Sequence, residues 1–348
     1  MKLRQRTLAL LRGINRALLD FSYRRRLPFV LGLPSGIMFE PFSGCNYSCP
    51  LCPAGMKTLV RRQTEMSFGE FKRYLGVMKW TADYITLYHF GEPLLSRDLA
   101  DIVGYCKKYD ISVQISTNGS IYKEEVFSAL FRAGLDRLII SIDTPRAERY
   151  GFYRRGGSFP QVEENVRKMV ALKKRLSSDT RIVMQYLLMR GNEDPKEMQE
   201  HGERLGADEV LIKTIGIGTS VEDIASAKEF LPENEAYSRY SKVSGHEVVA
   251  KCTGFVCEYV WKRMLVCSDG TCTICVRDQK NEQVVGDLKK QGSLLRVWNG
   301  KAYRKVRTRA RTEIIYPPMC RRCPEVLKYT VDPWVMNREG SNCDRFRL

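Results

Sequence analysis

Between Gly36 and about Gly216, short apolar runs alternate with stretches in which apolar residues recur every three or four positions. Residues 37–40, 84–88, 112–116, 137–142, 181–188 and 209–214 read as strands, each four to eight residues long and bounded by turn formers. The intervening stretches read as helices. Phe71, Leu75 and Met78 share one face behind the capping box Ser67-Phe68-Gly69-Glu70, and Leu99, Ile102, Val103 and Cys106 make the next stripe. Val126, Leu130 and Ala133 lead to a stop at Gly134, and Val162, Val166, Met169 and Val170 form another stripe. Asp194-Pro195 opens the last of these helices, which stops at Gly206. Six βα units in succession predict an α/β fold with a parallel sheet and helices outside; six rather than eight predicts a partial (β/α)6 TIM-like barrel, open on one side.

Around that core the composition shifts twice. Residues 1–35 form a basic segment with Lys2, Arg4, Arg6, Arg12, Arg16, Arg24, Arg25 and Arg26 against Asp20 alone, and Leu3, Leu10, Ile14 and Leu18 fall at near-helical spacing between them. That pattern suits a basic amphipathic helix lying on an anionic membrane surface, or equally a helix packed on the domain by its leucines. Residues 36–220 hold the barrel, 221–250 a linker, and 251–348 a cysteine-rich module with a second basic block, Lys301, Arg304, Lys305, Arg307, Arg309 and Arg311. The net charge of +17 is concentrated in these two blocks. With no recognisable RNA module, nucleic acid is not expected as a partner. Leucines interleaved with arginines form no signal-peptide core, and twelve cysteines then indicate a reducing interior, so the expected location is the cytoplasm, at the inner face of the membrane if the helix binds there.

Candidate chemistry collects at the strand ends. Cys45, Cys49 and Cys52 crowd eight residues directly after the first strand. Thiolates are soft ligands, and three so placed hold either an iron–sulfur cluster or a zinc ion. The second strand runs into His89-Phe90-Gly91-Glu92-Pro93, the third ends in Ser116-Thr117-Asn118-Gly119, the fourth in Ser141-Ile142-Asp143, and the fifth carries Gln185 within an apolar run. In barrels of this kind the loops after the strands carry the chemistry. His89 is placed as an acid or base, though most such histidines are core or supporting groups.

These four motifs, in this order and strand context, resemble the radical S-adenosylmethionine (SAM) enzymes. The resemblance implies a [4Fe–4S] cluster on Cys45, Cys49 and Cys52, with SAM chelating its open iron. It implies that Gly91, Glu92 and Pro93 meet the SAM amino group. It places Ser116, Thr117, Asn118, Ser141 and Asp143 at the ribose or methionyl part, Leu51 at the adenine, Arg154 or Arg155 opposite a carboxylate, and Gln185 nearby. Phe90 stands where the family usually has a second glycine. A flavodoxin- or ferredoxin-type electron donor follows from the same resemblance.

The C-terminal series Cys257, Gly270, Cys275, then Gly286-Asp287-Leu288, Val297-Trp298-Asn299-Gly300 and Cys320-Arg-Arg-Cys323 resembles the SPASM/twitch extension of those enzymes. It implies a small β-hairpin and helix domain with one auxiliary [4Fe–4S] cluster on Cys257, Cys275, Cys320 and Cys323; a zinc ribbon is the alternative, and Cys252, Cys267, Cys272 and Cys343 are left for a second cluster or a hydrogen-donor role. The expected activity is that of a radical SAM oxidoreductase: SAM is cleaved to a 5′-deoxyadenosyl radical, a C–H hydrogen of a small molecule, sugar or envelope precursor is abstracted, and the auxiliary cluster takes the electron left behind. The alternatives are a maturase acting on a peptide or protein side chain, and a non-catalytic iron–sulfur protein held at a membrane.

Overall fold

The computed structural model of the chain describes residues 2–216, 227–238, 240–242, 248–250 and 257–312. The long helix α1 (Lys2–Arg24) precedes six strands that alternate with helices: β1 (Gly36–Phe39), α2 (Phe68–Leu75), β2 (Tyr84–Leu87), α3 (Leu99–Lys107), β3 (Ser112–Thr117), α4 (Glu124–Arg132), β4 (Arg137–Asp143), α5 (Ala147–Tyr153), α6 (Phe159–Arg175), β5 (Arg181–Leu188), α7 (Pro195–Arg204) and β6 (Glu209–Thr214). After the short pair β7 (Tyr240–Lys242) and β8 (Val248–Ala250) come α8 (Tyr259–Lys262), β9 (Arg263–Val266), β10 (Thr271–Thr273), β11 (Val284–Asp287), α9 (Leu288–Gln291), α10 (Leu294–Trp298) and α11 (Lys301–Thr312).

Strands β1 to β6 pair in parallel in sequence order. Their alternation decides the layers. Ile85, Leu87, Val113, Ile115, Leu138 and Ile140 are buried in one core with the helices, so Thr86, Gln114, Ser116 and Ser141 face the barrel interior. The expected caps are present: Ser67 and Glu70 close a reciprocal capping box, and Asp194 accepts from the backbone of Lys196 and Glu197. One stripe differs by a residue, since α4 buries Phe127, Leu130 and Phe131 with Val126 at the margin.

The cysteine-rich module extends the sheet beyond β1, leaving β6 and β11 as its two edges. Strand β9 runs parallel to β1, Gly36 against Arg263 through Phe39 against Val266, and β10 and β11 continue the same sheet antiparallel. An edge that six βα units would leave unpaired at β1 is therefore satisfied by the C-terminal module.

Helix α1 lies across the N-terminal ends of the strands. Arg12 donates to the carbonyls of Tyr109 (2.7 Å) and Asp110 (2.9 Å) just before β3, Asn15 exchanges two hydrogen bonds with Leu33 just before β1, and Arg16 pairs with Asp83 (2.7 Å) just before β2. The docking face is Leu8, Arg12, Asn15, Leu19 and Ser22. It is not the Leu3, Leu10 and Ile14 stripe, which faces solvent. No helix among the described residues is long and apolar enough to cross a membrane.

The C-terminal helices are pinned by a buried cation that has no carboxylate in its hydrogen-bonding shell among the described residues. Arg307 donates to the carbonyls of Val260 (2.7 Å) and Trp298 (2.8 Å) and to Asn299 Oδ1 (3.0 Å), and its guanidinium lies over the rings of Trp298 and Tyr303. Burial pushes it down to about 10. Because truncation would strand three buried acceptors and two stacked rings, Arg307→Ala is expected to destabilise the protein by about 3 kcal/mol in denaturant unfolding; a loss below about 1 kcal/mol would contradict this role.

Candidate functional site

The cysteine loop is a closed excursion from the end of β1. Residues 41–43 and 64–66 pair antiparallel, with Ser43 N donating to Thr64 O (3.1 Å) and Met66 N to Pro41 O (2.8 Å). Within it, Tyr47 is buried; its hydroxyl meets that of Tyr150 (3.1 Å), and its ring fills the space a Cβ on Gly157 would need. Ser48 N donates to the Arg155 carbonyl (2.9 Å). These anchors present three thiols from one loop, Cys49 buried and Cys45 and Cys52 half-exposed. Burial pushes the Cys49 thiol up to about 11, with Arg154 pulling the other way, and raises Cys45 similarly.

The loop after β2 is bonded to the cysteine loop, Glu92 N donating to Gly44 O (2.8 Å). That approach depends on Gly91, whose φ is +94° and whose Cβ, if present, would stand 2.3 Å from the Phe42 carbonyl. One glycine thus suffices here. Phe90 turns aside, its ring 4.0 Å from that of His89. Glu92 is buried and binds inward: its carboxylate accepts from Thr117 Oγ1 (2.7 Å), Asn118 N (2.8 Å) and Leu94 N (3.0 Å). Burial raises this carboxyl against those three donors. Pro93 starts the turn that follows. Asn118 reaches back, donating to Asn46 Oδ1 (2.9 Å) and lying 3.9 Å from Cys45 Sγ. The three strand-end loops form one hydrogen-bonded unit around the thiols.

On the inner face of β3 to β5, Ser116, Ser141 and Gln185 form a row, with Ser116 Oγ 3.3 Å from Ser141 Oγ and Gln185 Nε2 donating to Ser141 Oγ (3.0 Å). Asp143 ends β4 at a bulge with a positive φ of 67°, a conformation that concentrates at working sites. Arg154 Nε sits 2.6 Å from Asp143 Oδ2, off the line of a good hydrogen bond, and Arg154 Nη1 lies 3.9 Å from Cys49 Sγ. Burial lifts the Asp143 carboxyl against the pull of Arg154. Arg154 is the inward member of its pair, and Arg155 is exposed. Leu51 packs at the edge of a small cluster with Met189 and Phe230.

Four contributors were not singled out from the sequence. Lys213, near the C-terminal end of β6, lies within electrostatic reach of Asp143; a lysine directly after Val210-Leu211-Ile212 in a strand was the available signal. Asn192 ties the ends of β4 and β5 through the carbonyls of Asp143 (2.8 Å) and Leu187 (2.7 Å). Glu40 and Arg61 form a buried bidentate ion pair at 2.5 Å. Glu40 also accepts from Phe90 N (3.3 Å), Ser268 N (3.1 Å) and Ser268 Oγ (3.0 Å). Nothing local marked this pair, since Glu40, Arg61, Phe90 and Ser268 come from four separate segments. His89 sits beside it, and burial, with Arg61 adding to the effect, pushes its imidazole down to about 3. A histidine neutral throughout the working range does not titrate there, so His89→Asn is expected to leave the pH profile of kcat unchanged between about pH 6 and 9; loss of one limb of that profile would restore a proton-transfer role.

The cysteines of the C-terminal module separate into two places. Cys257 precedes α8 and Cys275 follows β10, so both lie at the open end of the β9–β10 hairpin, where Thr273 is in register with Leu265. Cys275 Sγ accepts from Arg277 N (3.4 Å). Cys267 and Cys272 flank the Gly270 turn at the closed end, both fully buried, with thiols raised by burial. Cys252, Cys320, Cys323 and Cys343 lie outside the described residues, as does His246.

This donor set suits an iron–sulfur cluster. One loop carries three thiols within electrostatic reach of one another, though among the described residues no three ligand side chains are already gathered at metal-holding distance; the Tyr47 N–H (3.4 Å from Cys45 Sγ), Asn118 and Arg154 point at the sulfurs, the pattern that stabilises anionic sulfur. Residues 39–205 match the family described as the Radical SAM superfamily, and residues 257–324 match SPASM, an iron–sulfur cluster-binding domain. The chain is 31% identical over 121 residues to the AdoMet-dependent heme synthase of Methanosarcina barkeri, covering 35% of this chain and 34% of that protein. It is 27% identical over 191 residues to the PqqA peptide cyclase of Streptomyces rochei, covering 52% and 48%. These matches span between about a third and a half of each relative's length. The solved structure of Streptococcus suis SuiB bound to S-adenosylmethionine superimposes with a TM-score of 0.58 at 14% identity, over 84% of this chain and 71% of that one, a likeness of fold.

Proposed function

Because the chain belongs to the radical SAM superfamily and carries a SPASM iron–sulfur domain behind its barrel, we propose that it is an oxidoreductase acting on a C–H bond. The observation that carries this reading is the hydrogen-bonded unit of the thiol loop with the Gly91-Glu92-Pro93 and Thr117-Asn118 loops, which sets polar groups beside the thiols where an electron carrier needs none. Cys45, Cys49 and Cys52 would hold the first cluster; Cys257 and Cys275, with Cys320 and Cys323, would hold an auxiliary one. When bound, the first cluster and SAM supply a 5′-deoxyadenosyl radical by one-electron reduction. The protein's own groups orient and shield. Glu92 locks the β2 and β3 loops so that the backbone beside it can receive the SAM amino group, Arg154 offers a cation to its carboxylate, Ser116, Ser141 and Gln185 offer hydroxyl and amide contacts, and Leu51 an apolar edge for the adenine. Auxiliary ligation by four thiolates leaves electron acceptance from the substrate as that centre's work. Reduced flavodoxin or ferredoxin is the fitting donor, and thiols kept free for clusters suit a reducing compartment such as the cytoplasm.

The substrate reading is a polar small molecule, sugar or envelope precursor. It is supported by buried hydrogen-bonding capacity inside the barrel: Thr86 Oγ1 and Gln114 Oε1 have no partner among the described residues. A second reading, modification of a peptide side chain, is favoured by the half of the chain aligned with a peptide cyclase. Anaerobically reconstituted, reduced protein should contain about eight iron and eight sulfide per chain and convert SAM to 5′-deoxyadenosine. A polyol and sugar panel that raises this conversion while short peptides do not supports the first substrate reading, and the reverse supports the second. About four iron per chain would remove the auxiliary cluster, and absence of 5′-deoxyadenosine with every substrate would overturn the activity.

A further inference from the structure

Helix α1 docks on the domain by a mixed face of Leu8, Arg12, Asn15, Leu19 and Ser22, and carries a separate apolar stripe on its other side. Leu3, Leu10, Ile14 and Phe21, spaced by seven, four and seven residues, form a single stripe on the opposite side, and they are 79%, 65%, 52% and 49% exposed. Phe29 and Leu31, in the turn that follows, are exposed as well. Exposed Arg6, Arg24 and Arg25 flank the stripe, and the helix's one acid, Asp20, is already paired with Lys262 (2.7 Å).

The fold brings the second basic block to the same place. Helix α11 and α1 both pack against α8, and Arg26 Nη1 reaches the Arg311 carbonyl (3.4 Å). The chain just after α1 is tied to the start of α11 by Trp298 Nε1 donating to Gly32 O (2.8 Å) and Asn299 exchanging hydrogen bonds with Val30. Lys301, Arg304, Lys305 and Arg311 are exposed on α11, which contains no acid. Two blocks separated by about 270 residues in sequence thus form one basic region beside one apolar stripe.

We infer that this α1–α11 face docks on an anionic phospholipid surface, the stripe entering the headgroup–acyl boundary and the arginines meeting lipid phosphates. The charge decides among occupants. A second copy of the chain would set arginine against arginine across the stripe, and a nucleic acid would leave four exposed apolar side chains without use. The docked face covers the N-terminal ends of the strands, so the thiol loop opens at the end away from the lipid, toward water. An envelope precursor would therefore be taken up from the aqueous side or from a neighbouring partner rather than drawn from the bilayer beneath.

The test uses the full-length reconstituted protein and co-sedimentation with vesicles of phosphatidylcholine containing about one-third phosphatidylglycerol. Binding is expected to the anionic vesicles, to fall at least about tenfold on pure phosphatidylcholine, and to weaken about fivefold for each arginine neutralised in Arg304→Gln and Arg311→Gln. The triple variant Leu10→Gln/Ile14→Gln/Phe21→Gln alters only exposed side chains, so it should keep the wild-type melting temperature and lose at least about tenfold in vesicle affinity. Wild-type protein left in the supernatant overturns the inference, as does a triple variant that pellets normally. Light scattering that shows the triple variant dissociating a wild-type dimer, with vesicle binding unchanged, assigns the stripe to self-association instead; loss of RNA binding with vesicle binding unchanged assigns the face to nucleic acid. Iron content and 5′-deoxyadenosine formation are read in parallel and should not move, which keeps failure here separate from failure of the proposed chemistry.

Discussion

Cys49→Ala is expected to abolish 5′-deoxyadenosine formation, a loss of at least about a thousandfold, while the protein stays folded. Cys49 is the buried member of the three, 3.9 Å from the Arg154 guanidinium, and its backbone is held by neighbours rather than by its thiol. Gly55 packs against the Cys49 backbone so closely that a Cβ there would stand 2.6 Å from its nitrogen, and Ser48 is bonded to Arg155. The loop should therefore keep its shape without the sulfur. Two remaining thiols cannot hold a four-iron cluster with one open iron, so iron should fall from about eight to about four per chain. Cys272→Ala is the matched control: that thiol lies in the apolar core under α11, and its removal should leave iron unchanged at a modest stability cost of about 1 kcal/mol. Wild-type iron and activity in Cys49→Ala would show that the first cluster is held elsewhere.

Removal of Arg61 is expected to produce the largest loss of stability. Glu40 is completely buried at the end of β1, and Arg61 neutralises it through both oxygens. Arg61→Met leaves a buried carboxylate with only the Ser268 and Phe90 donors. An uncompensated buried charge costs about 3–5 kcal/mol, here a fall in melting temperature of roughly 5–10 °C. Glu40→Leu/Arg61→Met removes both charges and should recover most of that loss, because a buried pair contributes little beyond an apolar pair of similar volume. The pair also joins the thiol excursion, the β2 loop and the β9–β10 turn, so the single variant should expose the Ser268 turn to proteolysis sooner than the rest of the chain. A single-variant loss under about 1 kcal/mol would mean that water or another cation satisfies Glu40.

Much of this was legible in the chain because the signals are short-ranged. Alternation located all six barrel strands to within a residue or so, with 181–188 and 209–214 unchanged, and Ser67, Asp194, Gly134 and Gly206 marked helix ends through bonds and angles that involve only near neighbours. Helix α5 is not among the elements the pattern predicts, since Ala147–Tyr153 has no apolar stripe of its own; Tyr150 is buried by Tyr47 and Phe159 from outside the helix. Of the two readings of the α1 stripe, packing on the domain by Leu3, Leu10 and Ile14 is the one the structure overturns, since those residues face solvent. The residues that dock it, Arg12, Asn15 and Ser22, are polar and are used for hydrogen bonds to carbonyl and amide groups of the loops they cover, which no hydropathy pattern registers.

The sequence by itself determined the order of the strands, the three thiols on the first loop, the polar residues at each strand end and the two basic blocks, because each depends on spacing along the chain. Tertiary structure alone decided what those groups meet. Glu92 turns inward to bind the β3 loop, Arg154 pairs with Asp143, Cys267 and Cys272 are buried at one end of a hairpin while Cys257 and Cys275 share the other, and α11 comes to rest beside α1. The physical reason is that these contacts form between different elements, from 11 residues apart for Asp143 and Arg154 to 285 for Arg26 and Arg311, beyond the reach of local spacing. Pairing β9 with β1 in one register fixes them together, and it sets Ser268 on Glu40 across 228 positions.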